Sequence, residues 1–189
     1  METYLILLGI IPVLVYVVLE SFTSKRAAVG AALALALLEM IFTLVTFGRL
    51  DELTLLSFAV VGVLGLLSVK KDNDLYYKLH PAILHGFFAC AFFVFYYILD
   101  KPLLNYLINK YAGNRLDGLF DNQLVSKHFL LAYIKALSRD MSWWLLLHAL
   151  LTAFAAWRLS KWWWLVISVP GLILIVFLAA IVARYTVMM

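Results

Sequence analysis

The stretch AAVGAALALALLEMIFTLVTF, residues 27–47, runs apolar for 21 positions and carries one ionisable group, Glu39, near its middle. A helix rises 1.5 Å per residue, so 21 residues cover the ~30 Å hydrocarbon core of a bilayer. A carboxylate at that depth costs roughly 2.5–3.5 kcal/mol on insertion scales, which requires a partner, a cavity, bound water or a proton. The rest of the chain agrees with a bilayer. Of 189 residues, 66% are hydrophobic, 14% are charged, and mean hydropathy is +0.99, values outside the range of soluble domains.

Working outward, five further stretches reach spanning length: residues 3–19, 53–69, 80–99, 141–159 and 162–183. Their connections are short, at Ser21 to Arg26, Gly48 to Glu52, Lys70 to Leu79 and Ser160-Lys161, which forces antiparallel neighbours. The expected architecture is all-α, a single membrane domain over residues 1–189 with six transmembrane helices in a compact bundle. Residues 100–140 form the one long connection, and a loop of that length carries structure of its own. Two amphipathic helices are predicted there. The first has Asp100 as N-cap, Pro102 at its start, Leu104, Leu107, Ile108 and Tyr111 on one face, and a stop at Gly113. The second runs from Asp121 to Ser138, with Leu130, Tyr133, Ile134 and Leu137 opposite His128, Lys135 and Arg139. Both are expected to lie in the headgroup layer, with docking on the bundle as the alternative.

Other features fit the same frame. Glu2, rather than a basic cluster, precedes the first span, so a cleaved signal peptide is not expected. Trp143, Trp144, Trp157, Trp162, Trp163 and Trp164 fall near span ends and read as an interfacial aromatic belt. Gly30 and Ala34, Ala59, Gly62 and Gly65, Gly86 and Cys90, and Ala149, Ala153 and Ala156 offer close helix approach; Pro12 and Pro170 predict kinks. The net charge of +4 reads as contact with anionic headgroups rather than nucleic acid. Eight basic residues on the side of the termini against seven on the other leave sidedness open under the positive-inside rule.

No phosphate loop, GxSxG elbow, CxxC or HExxH motif is present, so catalysis, a cofactor and a metal centre are not expected. The polar candidates at membrane depth are Glu39, His85 and His148. Glu39 paired with either histidine could relay protons or bind a cation; the structural alternative is a neutral Glu39 hydrogen-bonded to a neighbouring helix.

The run Asn73-Asp74-Leu75-Tyr76-Tyr77-Lys78-Leu79-His80-Pro81, followed by an aromatic-rich span and Lys101-Pro102-Leu103, resembles the intracellular septation protein A family of bacterial inner-membrane proteins. His80 stands where a lysine is common. The resemblance implies a multi-pass inner-membrane protein with both termini in the cytoplasm, no enzymatic activity, and a role in envelope maintenance, division or elongation. Its expected partners are membrane lipids and membrane proteins or further copies of itself. Asn73, Asp74, Lys78, His80, Pro81, Lys101 and Pro102 carry the family-like pattern. A small transporter or channel for an ion, proton or amphiphile, using Glu39 with His148 or His85, is the alternative function.

Overall fold

A computed structural model describes residues 11–48, 52–112 and 127–189. These are helical apart from turns: α1 (Ile11–Phe22), α2 (Lys25–Phe47), α3 (Glu52–Lys71), α4 (Leu75–Lys78), α5 (His80–Phe93), a π-helical turn at Val94–Ile98, α6 (Leu103–Ala112), α7 (Lys127–Arg158), α8 (Lys161–Ser168) and α9 (Pro170–Met188). Three stretches among them are long and apolar enough to cross a membrane, Lys25–Val45, Leu75–Ile98 and Lys161–Met188. The chain divides into two compact units. One comprises Met1–Leu84 with Leu151–Val169, the other His85–Leu150 with Pro170–Met189.

Helix ends follow local chemistry. The Ser24 side chain accepts from the Ala27 amide at 3.3 Å and opens α2, while Gly48, at φ +69°, closes it by donating to Leu44 at 2.8 Å. Pro170 has no amide to donate, and the helix is interrupted at Val169, the place where the sequence predicts a break. The kink expected at Pro12 involves residues outside the described ones.

In the first unit, Ala28, Val29, Ala32 and Ala36 of α2 pack inward while Leu37, Leu38, Phe42 and Val45 are exposed. This inverts the pattern of a soluble core. Lipid tails solvate leucine as well as another helix does, so van der Waals fit between small residues decides which face packs. The inward face differs from the one expected, because Gly30 and Ala34 are exposed. Cys90 is also exposed, and Ala89 takes the packing position beside it. Gly86 fits the expectation, meeting Ala149 in the second unit. Gly65 is the tightest approach: a Cβ there would stand 3.0 Å from the Val29 Cγ1, whereas one on Gly62 meets nothing within 4 Å. Both replacements gain ~1 kcal/mol of helix propensity, and overpacking offsets it only at Gly65, by about 1–3 kcal/mol. Gly62→Ala is therefore expected to be more stable than Gly65→Ala by roughly that margin in detergent unfolding.

Two expectations for residues 100–140 need correction. Asp100 does not cap α6; at φ +47° it ends the preceding helix, and Pro102 accepts the first amide bonds, from Asn105 and Tyr106. Nor does a separate surface helix end at Ser138. The α7 helix is continuous from Lys127 to Arg158, because no glycine or proline interrupts it and the two charges at its middle, Arg139 and Asp140, pair with each other. Arg139 donates to Asp140 at 2.8 Å and to Thr186 at 3.4 Å, and the Asp140 carboxylate holds the guanidinium pKa above its ordinary value. The predicted starts and stops at Asp121 and Gly113 lie outside the described residues. The apolar face of α6 is taken up by protein rather than by headgroups: Leu103, Leu104 and Leu107 pack with Ala89, Phe92 and Leu145. Amphipathicity sets the face but leaves its occupant open.

Candidate functional site

Three turns of the first unit are tied together by charge and aromatic contacts. The first follows α1, whose last turns present Tyr16, Glu20 and Ser21, and leads into Lys25 at the start of α2. The second follows α3. Asp72 takes a left-handed conformation at φ +49°, and the Asn73 amide reaches back to the Ser68 carbonyl at 3.1 Å, an arrangement that terminates a helix. Ser68 donates its hydroxyl to the Asn73 carbonyl, and the Asn73 side chain accepts from the Leu75 amide at 2.9 Å, which starts α4. The third is the Ser160-Lys161 turn opening α8.

Lys25 Nζ lies 2.6 Å from Asp74 and 2.9 Å from Asp72, joining the first turn to the second. Lys161 Nζ lies 2.7 Å from Glu20 Oε2 and donates to Ser21 at 3.1 Å, joining the third to the first. The other Glu20 oxygen accepts from the Tyr16 hydroxyl at 2.8 Å. Tyr16 stacks on Tyr77 with centroids 3.7 Å apart, and the Trp164 indole N–H donates to the Lys78 carbonyl at 3.0 Å. Tyr16, Tyr77 and Trp164 are wholly buried.

Five of the seven family-like residues, Asn73, Asp74, Lys78, His80 and Pro81, therefore fall within or beside one assembly. Asn73 and Asp74 form its turn, Lys78 supplies a carbonyl, and Pro81 sits in the first turn of α5. His80 is 3% exposed, centred 6.3 Å from Tyr77, and neither ring nitrogen has a hydrogen-bond partner among the described residues. Lys101 and Pro102 lie in the other unit, where they join the π turn to α6.

Partial burial alone would raise the Asp74 pKa, and the adjacent Lys25 ammonium outweighs it, holding the carboxyl below its ordinary 3.8. A depressed carboxylate pKa adds stability that is complete above the ordinary value and lost as pH falls through the folded one. The stability difference between wild type and Asp74→Asn is expected to be constant at neutral pH and to collapse only below 3.8, as read by thermal unfolding against pH.

Of the membrane-depth candidates, His85 and His148 are brought together in the second unit, Nδ1 to Nδ1 at 3.0 Å, with His148 1% exposed. One ring must carry the Nδ1 proton and the other accept it, so the neutral pair contains two different tautomers. Glu39 belongs to the first unit. Its Oε1 is shielded and has no hydrogen-bond partner among the described residues. Among the described residues no three His, Cys, Asp or Glu side chains are grouped to hold a metal ion. Of the tryptophans expected in an aromatic belt, Trp143, Trp157, Trp162 and Trp163 are more than half exposed, Trp144 is partly buried and Trp164 is wholly buried. Three consecutive tryptophans point about 100° apart around a helix, so at least one faces inward. The tyrosine, Glu20 and Lys161 contacts were missed from sequence. Their only local trace is the i, i+4 spacing of Tyr16 and Glu20.

A family model for intracellular septation protein A matches residues 5–189. The chain is similar to the inner membrane-spanning protein YciB of Edwardsiella ictaluri, 28% identical over 104 residues that cover 55% of this chain and 58% of that protein. The YciB of Serratia proteamaculans is 28% identical over 103 residues, covering 54% and 58%. That of Yersinia pestis is 28% identical over 104 residues, with 55% and 58% covered. The chain thus spans less than two thirds of the length of the curated relatives it matches. No solved structure matches.

Proposed function

The chain belongs to the intracellular septation protein A family, and from that membership we propose an inner-membrane protein of six spans that acts in envelope maintenance, division or elongation through protein or lipid contacts. The observation that carries the topology is the tying of the three turns. The chain leaves Lys25 along α2 and returns at Asp72; it leaves Lys78 along α5 and returns at Lys161. Each return takes an even number of crossings. With two crossings in each return, one span before Glu20 and one after Lys161, the total is six and both termini share a side. The family resemblance supports assigning that side to the cytoplasm and the tied turns to the periplasm.

The envelope role draws its support from the family. Single cysteines at Lys71 and Val187 in a Cys90→Ala background test the topology by maleimide labelling: opposite sides are expected, and a common side retires it. Removing the protein from its cell tests the role, through cell length, septum frequency and envelope permeability. No change in any of the three would retire it. The second reading is the transporter built on Glu39, whose Oε1 has no hydrogen-bond partner among the described residues. Proton or cation flux into proteoliposomes that Glu39→Gln abolishes would promote it, and absence of flux in the wild type would end it.

A further inference from the structure

The tied end of the first unit has more positive charge than it uses. Seven basic residues, Lys25, Arg26, Lys70, Lys71, Lys78, Arg158 and Lys161, meet three carboxylates there, Glu20, Asp72 and Asp74. Lys25 and Lys161 take all three in close ion pairs, and Lys78 adds a longer-range attraction to Asp74. Arg26, Lys70, Lys71 and Arg158 are exposed and form no ion pair among the described residues. Their shared location follows from the ties: Arg26 adjoins Lys25, Lys70 and Lys71 precede Asp72, and Arg158 stands three residues before Lys161.

Arg158 has one further feature. Its guanidinium carbon lies 4.1 Å above the Trp157 ring. Stacking occupies the face of the guanidinium and leaves its N–H edge for an anion, in the planar geometry that phosphate accepts. Trp157 and Trp162, 66% and 60% exposed, flank the α7–α8 turn as side chains that favour the depth of lipid headgroups and esters. A free phosphate ion would use the cations but not the exposed indoles, whereas an anionic lipid uses both.

We propose that this end of the first unit binds the phosphodiester headgroup of an anionic glycerophospholipid, with Arg26, Lys70, Lys71 and Arg158 as the cations and Trp157 and Trp162 against its glycerol and acyl esters. The assignment deepens the envelope reading and rests on it, since it needs this end at a headgroup layer. The ion pairs are what make the site: without Asp72, Asp74 and Glu20 engaged by Lys25 and Lys161, those carboxylates would neutralise the neighbouring cations.

The full chain in nanodiscs containing brominated phosphatidylglycerol or brominated phosphatidylcholine provides the test, because bromine quenches nearby tryptophan. Wild type is expected to favour the anionic lipid, and each cation removed is expected to lower that preference about fivefold. The variant with Arg26→Gln, Lys70→Gln, Lys71→Gln and Arg158→Gln should lose the preference, while Lys101→Gln with Arg184→Gln should retain it. Equal quenching by the two lipids in wild type, or an undiminished preference in the fourfold variant, overturns the proposal. An unchanged unfolding midpoint certifies the fold of each variant. One-sided labelling of Lys71→Cys reads the topology independently, so a wrong membrane placement is distinguishable from a missing lipid site.

Discussion

Trp164→Ala is expected to destabilise the first unit by about 3 kcal/mol in reversible detergent unfolding, while Trp162→Ala and Trp163→Ala stay within about 0.5 kcal/mol. Trp164 has no exposed surface and packs in the cluster of Tyr16, Val61, Tyr77, Ala155 and Ala156. Large aromatic truncations in cores cost ~3–5 kcal/mol, and the lower end applies in lipid because the unfolded helix also keeps its indole in an apolar medium. What remains is the cavity and its lost dispersion contacts. The Lys78 carbonyl also loses its donor. Trp164→Phe keeps most of the volume and removes that hydrogen bond, so its expected cost is about 1 kcal/mol. Equal effects at all three tryptophans would show that Trp164 is another belt residue.

Lys161→Met has the second largest expected effect, about 2–3 kcal/mol, and Glu20→Gln in the same chain should restore most of it. The two side chains are 21% and 11% exposed and 2.7 Å apart. Removing the ammonium leaves a carboxylate almost out of water with the Tyr16 hydroxyl as its donor among the described residues, and such a charge costs more than the pair contributed. With Glu20→Gln the charge disappears, and an amide can still accept from Tyr16. A double-mutant cycle reads the coupling directly. If Lys161→Met proves harmless, or the second substitution adds to the loss, the turns are not joined through this pair. By contrast Lys25 faces Asp72, whose side chain is 93% exposed, so water screens that contact and its removal weighs less.

Both results bear on how the ends of the helices are assembled. Glu20, Lys25, Asp72 and Lys161 come from three turns that are far apart in the chain, and each turn is short and polar enough to pass for an ordinary surface loop. From sequence their basic members counted only towards the net charge assigned to anionic headgroups. Distance along the chain hides the partner. The same holds for His85 and His148, 63 residues apart, whose contact with each other no local pattern signals.

The sequence by itself determined that the chain lives in a bilayer as helices, and where several of them start and stop. Those outcomes are set by interactions within a few residues: a long run without charges, a serine before Lys25, a glycine after Phe47, a proline at position 170. Only the tertiary structure decided which face of each helix turns inward. In lipid every apolar face is equally content, so hydrophobicity no longer separates inside from outside, and close fit between neighbours takes over. That fit buried Ala32 rather than Ala34 and Trp164 rather than Trp163. It also joined the Lys161 ammonium to Glu20, an attraction that acts through space over a few ångströms and leaves no periodicity in the chain to read.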